Sequence, residues 1–252
     1  MNKTHLSYRT SNPALNSNTF KNPVKNSSLY LDKTMTIQGT VDKTAISLVL
    51  LIIAAYYTFS AGMESMIMIG SVGGLILAIV TIFKKEWAPY TVPFYAILEG
   101  LALGSLSYIY NVQYDGIVLQ AISITVLVLF SLLFAYRSEI IKPTENFKLG
   151  LFAATGGIFL LYLISFVMSF FGSGISLLSS NNSSILSIGL SFGIVIIAAL
   201  NLVIDFDFIE EGSEKGAPKY MEWYGAFGLM VTLIWLYLEI LRLLAKLSSR
   251  RN

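Results

Sequence analysis

The residues best suited to chemistry in this 252-residue chain are acids that stand within, or at the ends of, long apolar runs. Asp205 lies in the stretch ALNLVIDFDFIEEG, and Glu99 lies midway along another run, in YAILEGLALG. Glu239 lies in LYLEILRLL, three residues before Arg242, so the two can pair locally on a helix. An acid held away from water must bind a proton, find a partner or face water. Each is therefore a candidate for proton or cation handling.

The acids around Asp205 fall on two faces of a helix. Asp205 is turned by about 200° from the acid two residues later, and its stripe runs back through Asn201. This predicts a polar pair of Asp205 and Asn201 that faces the bundle or a cavity. The opposite face is predicted to be a solvated acidic helix end, and it carries Asp207, Glu210, Glu211 and Glu214.

Three effects favour the protonated form of Asp205. Burial disfavours the charged form, the neighbouring acids repel a further negative charge, and a helix C-terminus carries partial negative charge. Asp205 is therefore a candidate proton-titrating site, with a satisfied interfacial carboxylate as the structural alternative. The corresponding alternatives are a neutral Glu99 hydrogen-bonded to a neighbouring helix, and a Glu239–Arg242 pair without a function. When ionised, Asp205 and Glu99 could supply the oxygen ligands that Ca²⁺ prefers.

The composition indicates an integral membrane protein. Hydrophobic residues make up 55% of the chain and charged residues only 13%, whereas a soluble domain carries about a quarter charged residues. The chain has no cysteine and a single histidine, His5, which excludes disulfides, thiolate metal sites and a serine–histidine triad. The net charge of +2 is too small to suggest nucleic acid, and no P-loop occurs. We therefore expect neither an enzyme nor a resident cofactor.

Seven apolar runs predict an all-α integral membrane protein with seven transmembrane helices, since a span takes roughly 20 residues. The long uncharged segment 149–204 counts as two spans, because its middle part, 172–184, is rich in turn residues. The predicted spans are 44–63, 65–83, about 91–110, 116–136, the two halves of 149–204, and about 223–244.

The rest of the chain divides into a flexible polar tail over residues 1–42, a seven-helix domain over 43–247, and a short basic tail over 248–252. With the N-terminus inside, the tail and the inner loops hold the lysines and arginines, and the three outer loops hold none. The basic C-terminal end disagrees with this orientation. Two alternatives follow: seven spans with an exceptional C-terminal tail, or a re-entrant last segment.

Pairs of glycines four residues apart recur in three of the predicted helices. Such spacings let helix backbones approach closely, so we expect close helix packing at each pair. The pairs are Gly70 and Gly74, Gly100 and Gly104, and Gly189 and Gly193.

The chain resembles the Bax inhibitor family, in its bacterial YccA-like branch, over roughly residues 40–247. The resemblance is carried by the seven-span layout, the sixth-helix ending LVIDFDFI and the last helix AFGLMVTLIWLYLEILRLL; the segments SNPALNSNTF and EWYGAFGL add to it. It implies a seven-helix fold with the N-terminus inside. For some bacterial members it also implies a pH-sensitive calcium leak, gated by an aspartate pair on the sixth and seventh helices.

The site residues follow from the resemblance position by position. The family's aspartate–three residues–isoleucine pattern matches Asp205 and Ile209, so Asp205 inherits the proton-sensing role. On the seventh helix, aligning the leucine–leucine–arginine ending puts Thr232 at the second aspartate, whereas aligning on leucine–tyrosine–leucine–acid puts Glu239 there. We prefer the first alignment. Glu99 is an additional acid, and we hypothesise that Glu99 or Glu239 has become the partner of Asp205.

The leading functional prediction is a proton-modulated Ca²⁺ leak in the bacterial plasma membrane, with the lipid bilayer as its surroundings and H⁺ and Ca²⁺ as its ions. The path would include Asp205, Asn201, Glu99, Glu239 and Arg242, with Thr232 beside them. The alternative is a regulator without transport, which binds a membrane protease or another membrane partner through the N-terminal tail.

Overall fold

The computed structural model describes residues 34–141, 143–172 and 174–251, and these residues form seven α-helices. Within these residues the only strand-like pairing is one isolated bridge between Thr34 and Pro218. All seven helices are long and apolar enough to cross a membrane, which confirms the predicted all-α, seven-span fold. The helices are α1 Ile37–Ala61, α2 Met66–Phe83, α3 Ala88–Gln113, α4 Ile117–Arg137, α5 Glu145–Ser169, α6 Ile185–Glu214 and α7 Met221–Arg251; two 3₁₀ turns lie at Lys85–Trp87 and Ser176–Leu178.

The bundle is built around α7. In its most apolar stretch 56% of the residues are buried, against 50% for the third span and 39% for α6. The corresponding figure for α5 is 11%, so α5 lies at the edge of the bundle with most of its surface outward. The candidate residues on α3, α6 and α7 therefore lie on the three helices with the greatest burial.

Glycines bring α3 close to its neighbours. A Cβ at Gly100 or Gly104 would collide with backbone carbonyls of α1, and one at Gly70 would collide with the backbone of α3. The close approach predicted for the first two glycine pairs is confirmed, because side chains there would push the helices apart. It is wrong for Gly189 and Gly193, where added Cβ atoms would meet nothing within 4 Å.

The starts of α1 and α7 are tied together. Thr36 caps α1 by accepting a hydrogen bond from Gly39 N at 2.9 Å. Its own N–H and hydroxyl donate to Glu222 Oε1 at 3.0 and 2.8 Å, and Lys219 lies 2.8 Å from the same oxygen. Helix α1 begins at Ile37, earlier than the predicted span, so the described part of the predicted tail is attached to the bundle. Residues 1–33 lie outside the described residues.

Helix α6 is longer than the apolar run that predicts it. It continues to Glu214 and ends where Gly216 adopts a left-handed conformation with φ 64°. Asp205 is therefore nine residues from the end of the helix. The partial charge of a helix terminus acts only over the last turn, so the predicted contribution of the helix C-terminus to Asp205 is wrong.

Helix α7 is one uninterrupted helix as far as Arg251. It passes through the bundle and ends beside the α3–α4 connection, where Ser249 hydrogen-bonds Tyr114. The alternative of a re-entrant last segment is therefore wrong. The basic residues predicted as a separate C-terminal tail begin as the last turns of α7.

Candidate functional site

Asp205 is a buried acid with a single hydrogen-bond donor. Its residue exposure is 4%, and its neighbours on α6 from 202 to 209 are almost all buried. The hydroxyl of Thr232, on α7, donates a hydrogen bond to the carboxylate. Within the described residues the second oxygen, Oδ2, has no hydrogen-bond partner. An ionised carboxylate offers about four acceptor positions, so Asp205 is poorly satisfied.

Gly228 is the second α7 residue that faces Asp205. It precedes Thr232 by four residues, so the two lie on one side of α7. A Cβ placed at Gly228 would lie 3.9 Å from Asp205 Oδ1, with no other part of the bundle within 4 Å. The missing side chain therefore leaves space beside the carboxylate.

Glu99 lines a cavity of about 420 Å³ between α2, α3 and α7. Its side chain is partly exposed, and Gly74 makes room for it, since a Cβ there would collide with the Glu99 carboxylate. No hydrogen bond or ion pair joins Glu99 to another described residue. Gly228 also lines this cavity, so Glu99 and Asp205 approach the same glycine. The neutral, hydrogen-bonded Glu99 of the structural alternative does not match this arrangement.

Asn201 faces a different helix from Asp205. Its amide donates to Thr155 Oγ1 on α5 at 3.0 Å and to the Ile197 carbonyl at 2.8 Å. The predicted polar pair of Asp205 and Asn201 does not form, because the two side chains share a stripe of α6 but bond to α7 and α5 respectively. Asn201 thus holds α5 against the bundle.

Glu239 belongs to a separate and well-satisfied cluster. Both of its carboxylate oxygens lie 2.9 Å from Arg242 Nη1. Oε1 also accepts hydrogen bonds from Tyr162 at 2.7 Å and from Trp235 at 3.2 Å, and the Arg242 guanidinium lies over the Tyr162 ring. Seven residues separate Thr232 from Glu239, or about 10 Å along α7. The hypothesis that Glu239 is the partner of Asp205 is therefore wrong.

Comparison with known families decides the relationship of the chain. A family model described as Bax inhibitor 1 like matches residues 12–249. The chain belongs to this family. The match includes all seven helices, so Asp205, Glu99 and Glu239 all lie within the family domain. No curated protein matches, and no solved structure matches.

Among the residues of this Bax inhibitor family member, Thr232 occupies the position opposite Asp205. The resemblance allowed two alignments of the seventh helix, and the hydrogen bond from Thr232 to Asp205 agrees with the preferred one. A hydroxyl thus stands where that alignment places the family's second aspartate. The site therefore combines one titratable group, the Asp205 carboxyl, with one hydroxyl donor that does not titrate, that of Thr232.

The acidic end of α6 is partnered rather than freely solvated. Asp207 pairs with Lys148 on α5, whose residue exposure is only 9%. Glu210 accepts a hydrogen bond from Tyr136 on α4. Glu211 pairs with Lys215 one turn later. These acids therefore fasten α4 and α5 to α6, and only Glu210 and Glu214 are classed as exposed.

The described residues hold no preformed metal site. No group of three or more His, Cys, Asp or Glu side chains is placed to hold an ion, whereas Ca²⁺ takes six to eight oxygen ligands. A calcium ion at Asp205 or at Glu99 would therefore keep most of its water.

Sequence reasoning missed Lys246, which is fully buried. Its Nζ donates to the Leu177 carbonyl and Ser191 Oγ, each at 2.8 Å, and to the Ser187 carbonyl at 3.3 Å. In the sequence it resembles part of a solvated basic end. One signal was readable: Lys246 follows Arg242 by four residues, so it continues the stripe of α7 that faces the bundle.

Proposed function

We propose that this chain is a pH-sensitive cation leak of the bacterial plasma membrane, within the YccA-like branch, with Ca²⁺ as the cation. The supporting observation is the under-satisfied carboxylate of Asp205, buried between α6 and α7 with one oxygen unpartnered. Neither an enzymatic step nor a resident cofactor is needed, since Ca²⁺ and H⁺ act as transported and regulatory ions. The distribution of lysine and arginine supports an inside N-terminus.

A buried Asp205 needs a neutralising partner. An ionised carboxylate that has left water for an apolar surrounding with one donor is unstable by several kcal/mol. A proton or a cation can neutralise it, and both bind the same oxygens. The two therefore compete: protons occupy Asp205 at acidic pH, and cations can use it once the proton has left. Competition of this kind makes a cation flux depend on pH.

None of the described groups that face Asp205 carries a charge that would replace the proton or the cation in this competition. From α7 they are Thr232 and Gly228, and neither titrates. The nearest acid along α6, Asp207, lies on another face and is paired with Lys148. Among the described residues no basic side chain pairs with Asp205. No fixed positive charge therefore takes the place of an entering cation.

The test is calcium flux through the purified full-length chain in lipid vesicles, measured across acidic to alkaline pH. The wild-type flux should rise with pH as Asp205 loses its proton. Asp205→Asn keeps the shape of the protonated side chain but cannot ionise. Its flux should therefore stay near the acidic wild-type level at every pH.

Glu214→Gln is the matched control, because it removes one negative charge from the exposed end of the same helix. Its pH profile should follow that of the wild type. An Asp205→Asn profile that still rises like the wild type would remove Asp205 from the mechanism.

The alternative proposal, a regulator that binds a membrane protease, predicts no flux at any pH. It depends on the N-terminal tail, most of which lies outside the described residues. Residues 34–36 attach the tail to the start of α7. A partner bound to the tail could therefore act on α7, the helix that carries Thr232. Absence of calcium flux at every pH, together with a deletion of residues 1–33 that abolishes a co-purifying partner, would support this alternative.

A further inference from the structure

The cavity beside Glu99 is a cleft at the edge of the bundle. On α2 it is lined from Ser71 to Ile82, a distance of about 16 Å along the helix. Two of its walls reach the outer surface of the protein, at Leu75 with 59% exposure and at Val231 with 39% exposure. Leu75 and Val231 lie within spans, so this side faces lipid, whereas at Ile82 the cleft extends to the last turn of α2, beside the connection to α3. The inner wall is formed by α3 and α7.

Among the described residues, Glu99 is the only charged one that lines this cleft. The other polar side chains are Ser71 and Tyr95, and the Tyr95 ring packs edge-on against Phe227 at 5.1 Å. The faces of α2 and α7 toward the cleft carry no charge. A cleft with one sign of charge and apolar walls concentrates ions of the opposite sign, so this one favours cations.

Gly228 is the glycine in the inner wall. This residue lines the cleft, and the direction in which its side chain would project leads to Asp205 Oδ1 at 3.9 Å. The Gly228 backbone, which carries no side chain, therefore lies between the cleft and Asp205 Oδ1.

We propose that the α2–α3–α7 cleft is a cation vestibule, in which Glu99 attracts small hydrated cations and Gly228 is the window to Asp205. The ligand class is inorganic monovalent and divalent cations that keep most of their water. The window rests on the proposed function for its physiological meaning. The attraction of cations by Glu99 does not depend on the proposed function, and it can be measured in a protein that shows no flux.

Single cysteines can report on the vestibule directly, because the chain has none of its own. Leu75→Cys places a thiol in the cleft, and its matched control, Ile76→Cys, places one on the outer surface of the same helix, where Ile76 is 55% exposed. The protein is placed in nanodiscs, so that both membrane faces are accessible. Cationic, anionic and neutral methanethiosulfonates are then compared, each rate being normalised to that of a free thiol.

The Leu75→Cys variant should react roughly tenfold or more faster with the cationic than with the anionic reagent. Adding Glu99→Gln should bring this ratio near one, with the rate of the neutral reagent unchanged, and Glu99→Asp should retain the preference. Ile76→Cys should show no such preference. A preference that survives Glu99→Gln, or equal reactivity at the two positions, would overturn the vestibule.

A second measurement uses the native Glu99. At constant ionic strength, replacing sodium by calcium should slow the cationic reagent at Leu75→Cys and leave the neutral reagent unaffected. Equal rates in the two salts would contradict cation binding in the cleft, whatever the stability of the Glu99 variants.

The window is tested by Gly228→Cys, with Ala226→Cys as a fully buried control on the same helix. A thiol at position 228 should react with the cationic reagent, and one at 226 should not.

Gly228→Leu should abolish calcium flux, whereas Gly157→Leu, on the open outer side of α5, should not. An inert Gly228→Cys with normal Asp205-dependent flux would overturn the window alone. If Gly228→Cys reacts but the protein shows no calcium flux, the vestibule is supported and the proposed leak is contradicted.

Discussion

Two buried carboxylates, Asp205 on α6 and Glu239 on α7, differ in how fully they are satisfied. Asp205 and Glu239 have exposures of 4% and 2%. Glu239 accepts hydrogen bonds from Arg242, Tyr162 and Trp235. Asp205 receives one from Thr232 and keeps an oxygen without a partner in the described part of the chain. The two acids are thus almost equally buried, but only Glu239 has a hydrogen-bond partner for each of its oxygens. We call the cluster of Glu239 the closed network and the surroundings of Asp205 the open site.

The difference separates a structural acid from a functional candidate. The charge of Glu239 is already matched by an arginine, so a proton or an entering cation would have to displace a partner. Asp205 has no charged partner, and the space at Gly228 lies beside it. Of these two acids, Asp205 therefore fits the proposed role in ion handling better than Glu239 does.

The largest expected loss of stability comes from removing the arginine that pairs with Glu239 in the closed network. Arg242→Met should lower the free energy of unfolding by about 3–5 kcal/mol, because it leaves Glu239 as an uncompensated buried charge. Unfolding in mixed micelles with increasing SDS measures this change. Adding Glu239→Gln to the same protein should restore much of the loss. A loss equal in the single and double variants would show that Arg242 acts through packing rather than through Glu239.

A smaller effect is expected from the open site. Thr232→Val should lower the free energy of unfolding by about 1–3 kcal/mol, because it removes the one donor to a buried carboxylate. The donor favours the ionised form, so its loss favours the protonated form and should move the rise of calcium flux to higher pH. Thr125→Val is the matched control, since Thr125 is equally buried but donates within its own helix. An unchanged flux profile in Thr232→Val would contradict the role of this hydrogen bond.

Local spacing predicted part of both sites. Glu239 and Arg242 are three residues apart, and Trp235 is four residues before Glu239, so the α7 half of the closed network follows from helical periodicity. Tyr162 comes from α5, 77 residues away. Nothing in the periodicity of either helix indicates that they meet there. The complete satisfaction of Glu239 is therefore a tertiary property.

The open site shows the same division. Helical geometry placed Asp205 on a face of its own, and the family resemblance placed Thr232 opposite it. Gly228 and the cleft depend on a missing side chain and on the separation of helices, which no spacing of residues encodes. The apolar run that predicts the span ends at Ile204, but α6 continues to Glu214. The acids of this last part pair with Lys148 and bond Tyr136, and apolarity does not record those contacts.

The smallest expected effect comes from a pair that is matched but exposed. Lys215 and Glu211 pair one turn apart, with side-chain exposures of 45% and 22%. Solvent screens such a pair, so Lys215→Ala should lower the free energy of unfolding by less than about 1 kcal/mol in the same SDS assay. The calcium flux and its pH dependence should be unchanged, because the pair lies six to ten residues from Asp205, at the C-terminal end of α6. A loss as large as that of Arg242→Met would mean that pairing alone, and not burial, sets the importance of a charge in this bundle.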